Sequence, residues 1–284
     1  MHIRNPVEWG VDQVRVAGHA IESMGHPRLD ARDLPLPAIR RITLSDLADA
    51  LARGAEDFAA FRTDVAFLCV IYPLVGLVLA RLAFGYEMLP LVFPLASGFA
   101  LIGPVAAVGL YEMSRRREVG AEASWADAFG VVRAPAFTAI ARFGLLLAAI
   151  FVVWLNFAIA IYDATLGPEP PASAAAFAHD LFATDRGWML IAVGIGVGFL
   201  FAVLVLAISV VSVPMLLDRD VGVAAAVRTS LRAVAVNPAP MAAWGFIVAA
   251  GLAIGSIPLF LGLIIVMPVL GHATWHLYRR VVAA

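Results

Sequence analysis

Long apolar runs alternate with short charged clusters along this chain. Four runs, 65–84, 89–111, 140–162 and 188–213, are each long enough to cross a bilayer as one helix. About 20 apolar residues at about 1.5 Å each cover the hydrocarbon thickness. A fifth run, 241–277, is too long for one crossing, and Gly255, Ser256 and Pro258 lie near its middle. Proline removes a helix hydrogen bond and clashes with the preceding turn, so this run divides into spans 241–255 and 258–277. The pattern predicts an all-α integral membrane protein, a six-span bundle built from three helical hairpins.

A different periodicity marks the segments between spans. Val7, Val11, Val14, Ala17, Ile21 and Met24 recur at spacings of three and four, with polar residues between them, which predicts an amphipathic helix over 7–24. Pro27, Pro35 and Pro37 then mark a linker, so 1–42 reads as a cytoplasmic N-terminal segment and 43–284 as the membrane domain. Residues 44–61 repeat the amphipathic pattern through Leu44, Leu47, Leu51, Phe58 and Phe61, with Asp49 and Arg53 placed to pair one turn apart. Trp125, Phe129 and Val132 precede span three in a similar way; Val223, Val227, Leu231 and Val234 precede span five. The unit of amphipathic surface helix plus two spans thus recurs three times. Loop 163–187 opens on Gly167, Pro168, Glu169, Pro170 and Pro171, which cannot be helical, and 173–183 suits a short surface helix.

Charge sets the orientation. Arg40, Arg41, Arg53 and Arg62 precede span one. Arg115, Arg116, Arg117 and Arg133 follow span two, Arg219, Arg228 and Arg232 follow span four, and Arg279 and Arg280 end the chain. Six spans bring every cluster to one face, which the positive-inside rule makes cytoplasmic; five would strand Arg279 and Arg280 outside. Both termini are therefore expected in the cytoplasm, and the membrane is expected to be a bacterial inner membrane. Residues 1–42 lack the apolar run and cleavage site of a signal peptide.

Composition narrows the chemistry. Apolar residues are 62% of the chain and charged residues 14%, far from the roughly 45–50% and 25% of soluble domains. The net charge of −1 gives no footprint for nucleic acid. No lysine occurs, which removes Schiff-base chemistry and a phosphate loop of the Walker type. The single cysteine, Cys69, excludes an internal disulfide and reads as a small buried side chain. No serine–histidine–acid set, paired buried carboxylate or acidic residue at a span centre stands out.

Several motifs carry a resemblance. Pro214 to Val221 (PMLLDRDV), Ser230, Asn237-Pro238, Trp244 and Gly271 to Arg280 (GHATWHLYRR) resemble a bacterial family of predicted integral membrane proteins, domain of unknown function 2189. Tyr111 to Arg117 (YEMSRRR) is similar to that family's pattern after its second span. The resemblance extends over roughly 40–281 and implies a multi-span membrane protein without an assigned activity. Some members are labelled as cytochrome c oxidase subunits. An oxidase core needs several histidines deep in its spans, and here His2, His19, His26 and His179 fall outside them.

His272 and His276 share one helix face. They read either as a metal or haem site or as part of an interfacial belt with Trp275 and Tyr278. In Asp218-Arg219-Asp220, Asp218 or Asp220 reads chiefly as a cap for the next helix, with a cation on the paired carboxylates or a lipid headgroup through Arg219 as the alternative. Arg115, Arg116 and Arg117 read as a stop-transfer cluster compatible with anionic lipid, and Glu112 is placed to pair with one of them. Asn156, in mid-span, suits a helix–helix hydrogen bond. Asn237 is singled out by its motif. Gly194, Gly196 and Gly198 suit close helix packing, and Pro73, Pro94 and Pro104 suit bends.

The sequence thus points to a non-enzymatic accessory, scaffold or assembly protein with no cofactor. Its expected partners are membrane lipids, including anionic lipid at the cytoplasmic face, together with another membrane protein or a second copy of itself. The alternatives are a transporter or channel for a small or lipidic substrate around Asn156, and a haem or metal protein using His272 and His276.

Overall fold

The computed structural model describes residues 36–69, 81, 89–121, 130–131, 134–258 and 260–283. The expected helix over 7–24, most of the first expected span, and Trp125, Phe129 and Val132 lie outside the described residues. Ten α-helices are described: α1 (Leu44–Cys69), α2 (Val92–Ala106), α3 (Val108–Glu118), α4 (Phe137–Thr165), α5 (Ala174–Ala183), α6 (Asp185–Ser209), α7 (Ser212–Asp218), α8 (Val223–Val236), α9 (Pro238–Ser256) and α10 (Leu263–Val281). No sheet forms among the described residues; one isolated antiparallel bridge joins Ile39 to Val282.

Four stretches are long and apolar enough to cross a membrane: Leu89–Glu118, Phe137–Thr165, Asp185–Asp218 and Pro238–Ser256. Only 11–25% of their most apolar windows is buried inside the protein. Phe199, Leu145 and Phe246 are each more than 60% exposed. Water would penalise such a surface at about 25 cal/mol per Å², whereas lipid accepts it. The six-span expectation is met only in part. The helix Leu44–Cys69 runs without a break into the expected first span. The expected sixth span becomes α10, which starts five residues later and carries His272, His276, Arg279 and Arg280 among mostly buried neighbours.

Breaks in the long apolar stretches have local causes. Leu89–Glu118 changes helix at Ala107, just after Pro104. Asp185–Asp218 breaks at Val210 and Val211. Pro214 has no N–H for the carbonyl of Val210. The next rung is opened by Ser230 of α8. Its hydroxyl accepts from Val211 N at 3.3 Å and donates to Ala207 O at 2.7 Å, the pair a continuous helix would have joined directly.

Helix α8 forms where expected but turns a different face inward. It buries Ala225, Ala226, Thr229, Ser230 and Ala233, while Leu231 is exposed. The small face lets Ser230 reach the α6–α7 break, which the valine stripe would have held away. The short helix of the long loop is present, with Ser173 Oγ accepting from Ala176 N at 3.0 Å.

Helix α10 is the spine of one end of the bundle, and it runs antiparallel to α1. A Cβ at Gly54 would lie 2.6 Å from Ala273 N and 2.7 Å from Val269 O, so the two backbones touch where only glycine fits. On its other side, Gly271 admits Leu110 of α3. Of Gly194, Gly196 and Gly198 in α6, only Gly198 packs, against Trp154; a Cβ at Gly194 or Gly196 meets nothing within 4 Å among the described residues. The close packing expected at those two positions is not found among the described residues.

Candidate functional site

The motif residues converge at the end of the bundle where α3, α7 and α10 finish and α1 and α9 begin. Asp57 of α1 is 5% exposed and stands at the centre. Its Oδ2 accepts from Ser114 Oγ at 2.6 Å and lies 2.8 Å from His276 Nε2. Its Oδ1 accepts from Arg117 Nη1 at 2.6 Å. Burial alone would raise the Asp57 carboxyl; the hydrogen bonds from His276 and Ser114 and the two nearby imidazoles outweigh it and hold the group below its ordinary value.

Proton counting orders the rest. A carboxylate only accepts, so the one proton of Ser114 goes to Asp57. His272 Nδ1, 2.8 Å from Ser114 Oγ, must then donate to it. His272 Nε2 makes no hydrogen bond of its own among the described residues and is completely buried, with the ring of Phe61 alongside at 6.3 Å. His276 differs. Its Nε2–H points at Asp57, so Nδ1 carries the lone pair on a residue that lines an open cleft.

That cleft has a volume of about 570 Å³. Its walls include Asp49, Arg53, Glu56, Asp57, Arg117 and His276. The chain thus does bring a serine, two histidines and an aspartate together, which the sequence alone did not show. They are not a nucleophilic triad. In such a triad the histidine stands between acid and serine; here Ser114 is in the middle, 1% exposed, with its proton spent on Asp57.

The remaining motif residues form ion pairs around this centre. Glu112 receives Arg115 and Arg116 at 2.7 and 2.9 Å, the pairing expected. Asp218 accepts from Tyr278 Oη at 2.7 Å and lies 3.5 Å from Arg279. Arg219 donates to Tyr278 Oη and to Ala283 O. Glu118 joins Trp275 Nε1 and Arg279, both at 3.0 Å. Arg280 bridges Asp46 and Asp49. Asn237 Oδ1 accepts from Ile42 N and its Nδ2 donates to Arg40 O, pinning the chain's entry onto the start of α9.

Several expectations are corrected. Trp275 and Tyr278 are each 1% exposed, so they are not an interfacial belt; their polar tips reach carboxylates inside the protein. Asp218 does not cap α8, whose N-cap is Gly222 without a side-chain bond, because Tyr278 and Arg279 hold it. Asp220 does not fill the capping position either. Asp49 pairs with Arg280 rather than along its own helix. Asn156 is exposed and donates to Val152 O of its own helix at 2.8 Å, so it neither bridges helices nor lines a central cavity. His272 and His276 each spend a ring nitrogen on a protein partner. Among the described residues no group of three His, Cys, Asp or Glu is arranged to hold a metal.

Outward apolar spans and a polar, ion-paired end together define an α-helical integral membrane protein. Residues 92–218 match the family model described as "Predicted integral membrane protein (DUF2189)", whose function is unassigned. The match bears out the resemblance over a shorter stretch than expected. It contains Glu112, Arg115, Arg116, Arg117, Asn156 and Asp218, and it stops before Arg219, Asp220, Asn237 and the α10 motif. No curated protein and no solved structure matches the chain.

Proposed function

We propose that this protein is a non-enzymatic accessory or assembly component of the bacterial inner membrane, threaded six times with both termini in the cytoplasm. One observation supports the reading above others: the motif residues are spent on one another. Glu112, Glu118, Asp57 and Asp218 each hold at least two partners, and the pairs they make link α1, α3, α7 and α10. A general acid or nucleophile needs a free valence toward substrate, whereas a clamp needs none. The result is a stiff polar cap on an apolar body, the form expected of a surface that holds other membrane subunits in place.

Crosslinking in native membranes followed by mass spectrometry tests this. A reproducible heterologous partner attached at the polar end is expected. Repeated recovery of an unpartnered monomer after gentle solubilisation would remove the reading. A Soret band or stoichiometric metal in the purified protein would instead favour His272 and His276 as ligands.

A further inference from the structure

We propose that the cleft between α1, α3 and α10 binds a small zwitterion, one carrying an ammonium and an acidic group a few ångströms apart. This goes beyond the assembly role and does not depend on it.

Most of the charged groups lining the cleft are already paired. Asp57 is filled by Ser114, His276 and Arg117. Glu118 is filled by Trp275 and Arg279, while Arg280 is shared between Asp46 and Asp49. Two charges of the lining have no partner among the described residues, Arg53 and Glu56. They are of opposite sign and lie three residues apart on α1, so they project from neighbouring positions of one helix face. A ligand of a single charge would satisfy one and be repelled by the other. A zwitterion satisfies both.

His276 supplies the third contact. With Nε2–H held by Asp57 at 2.8 Å, the neutral ring presents Nδ1 as an acceptor, and Nδ1 makes no hydrogen bond among the described residues. A carboxylate behind an imidazole sets the orientation of the ring and the tautomer of its neutral form. An ammonium donating to both Glu56 and Nδ1, with the acidic group on Arg53, uses every free valence of the cleft. The volume of about 570 Å³ falls within the roughly 300–1,000 Å³ of small-ligand sites. The same chemistry has two sources at this end of a membrane protein: a soluble amino-acid-like solute and the headgroup of phosphatidylethanolamine.

O-phosphoethanolamine is the probe, titrated calorimetrically into the full chain in detergent. Saturable binding below about 10 mM is expected. Inorganic phosphate and ethylamine should each bind at least about tenfold more weakly. Arg53→Ala and Glu56→Ala lie at exposed positions, so both variants should keep the wild-type melting temperature while losing about tenfold or more in affinity. The double exchange Arg53→Glu/Glu56→Arg should recover part of what either single reversal loses. Competition by phosphatidylethanolamine but not phosphatidylcholine in mixed micelles assigns the lipid source; lack of competition, with binding retained, assigns a soluble one. No saturable heat, equal binding of phosphate alone, or indifference to both alanine variants would overturn the proposal.

Discussion

His276 Nε2 lies 2.8 Å from Asp57 Oδ2 across 219 positions of sequence, and this contact joins the first described helix to the last. The pair is stabilised from both sides, by Arg117 on the second carboxylate oxygen and by Ser114 between Asp57 and His272. Replacing Asp57 by Asn keeps the shape but removes the charge that three donors face. A loss of roughly 3–5 kcal/mol is expected, as when one partner of a buried ion pair is deleted. Thermal unfolding in detergent should show it as a large drop in melting temperature, and an unchanged midpoint would refute the central role given to this carboxylate.

Acid should act through the same residue. The folded-state pKa of Asp57 lies below its ordinary 3.8. Its contribution is therefore complete above that value and is lost as pH falls through the lower, folded-state one. Wild type should lose stability progressively below about pH 4, and Asp57→Asn should show a shallower slope there. Parallel slopes in a pH series of melting curves would contradict this.

Glycine replacements separate contact from open space. Gly54→Ala places a methyl 2.6 Å from Ala273 N, against backbone that cannot rotate away. Overpacking of this kind costs about 1–3 kcal/mol. Gly194→Ala meets nothing within 4 Å and should be neutral or raise stability by up to about 1 kcal/mol through helix propensity. Melting temperatures of the two variants should move in opposite directions or differ by several degrees.

Ser230→Ala should strand both Val211 N and Ala207 O at the α6–α7 break. Leaving buried polar groups unpaired costs about 1–3 kcal/mol. Hydrogen exchange should quicken at 207–212 in the variant, while α9 stays protected. Unaltered exchange at the break would show that the inserted hydroxyl does not hold it.

Orientation can be read directly. Reporters fused after Ala284 and within 163–187 are expected to report opposite sides, the first cytoplasmic and the second periplasmic. Matching signals from both would require an odd number of crossings between them to be abandoned.

Four of the spans were legible because the signal for lipid is composition over about 20 residues, which needs no knowledge of neighbours. Their inner breaks were partly legible, since Pro104 and Pro258 announce themselves, but Ser230 does not. Its role depends on a helix 19 positions away from Val211. The polar centre was hidden for the same reason: Ser114 is 57 positions from Asp57 and 158 from His272. One signal was present. Asp57 falls on the stripe of Leu47, Ala50, Gly54 and Phe61, and an acid on an apolar face asks for a cationic or hydroxyl partner elsewhere. Trp275 and Tyr278 were misplaced because an amphipathic ring suits a membrane interface and a buried carboxylate equally.

The joining of first helix to last sets the order in which this chain can mature. At roughly 5–20 residues per second, the 219 residues between Asp57 and His276 take on the order of 10–40 s to emerge. Throughout that interval α1 waits with its groove for α10 empty and its acid short of its His276 contact. Quality control therefore has a simple criterion for this protein, the arrival of the final helix, and a ribosome that stalls before Gly271 leaves behind a product that exposes its own defect.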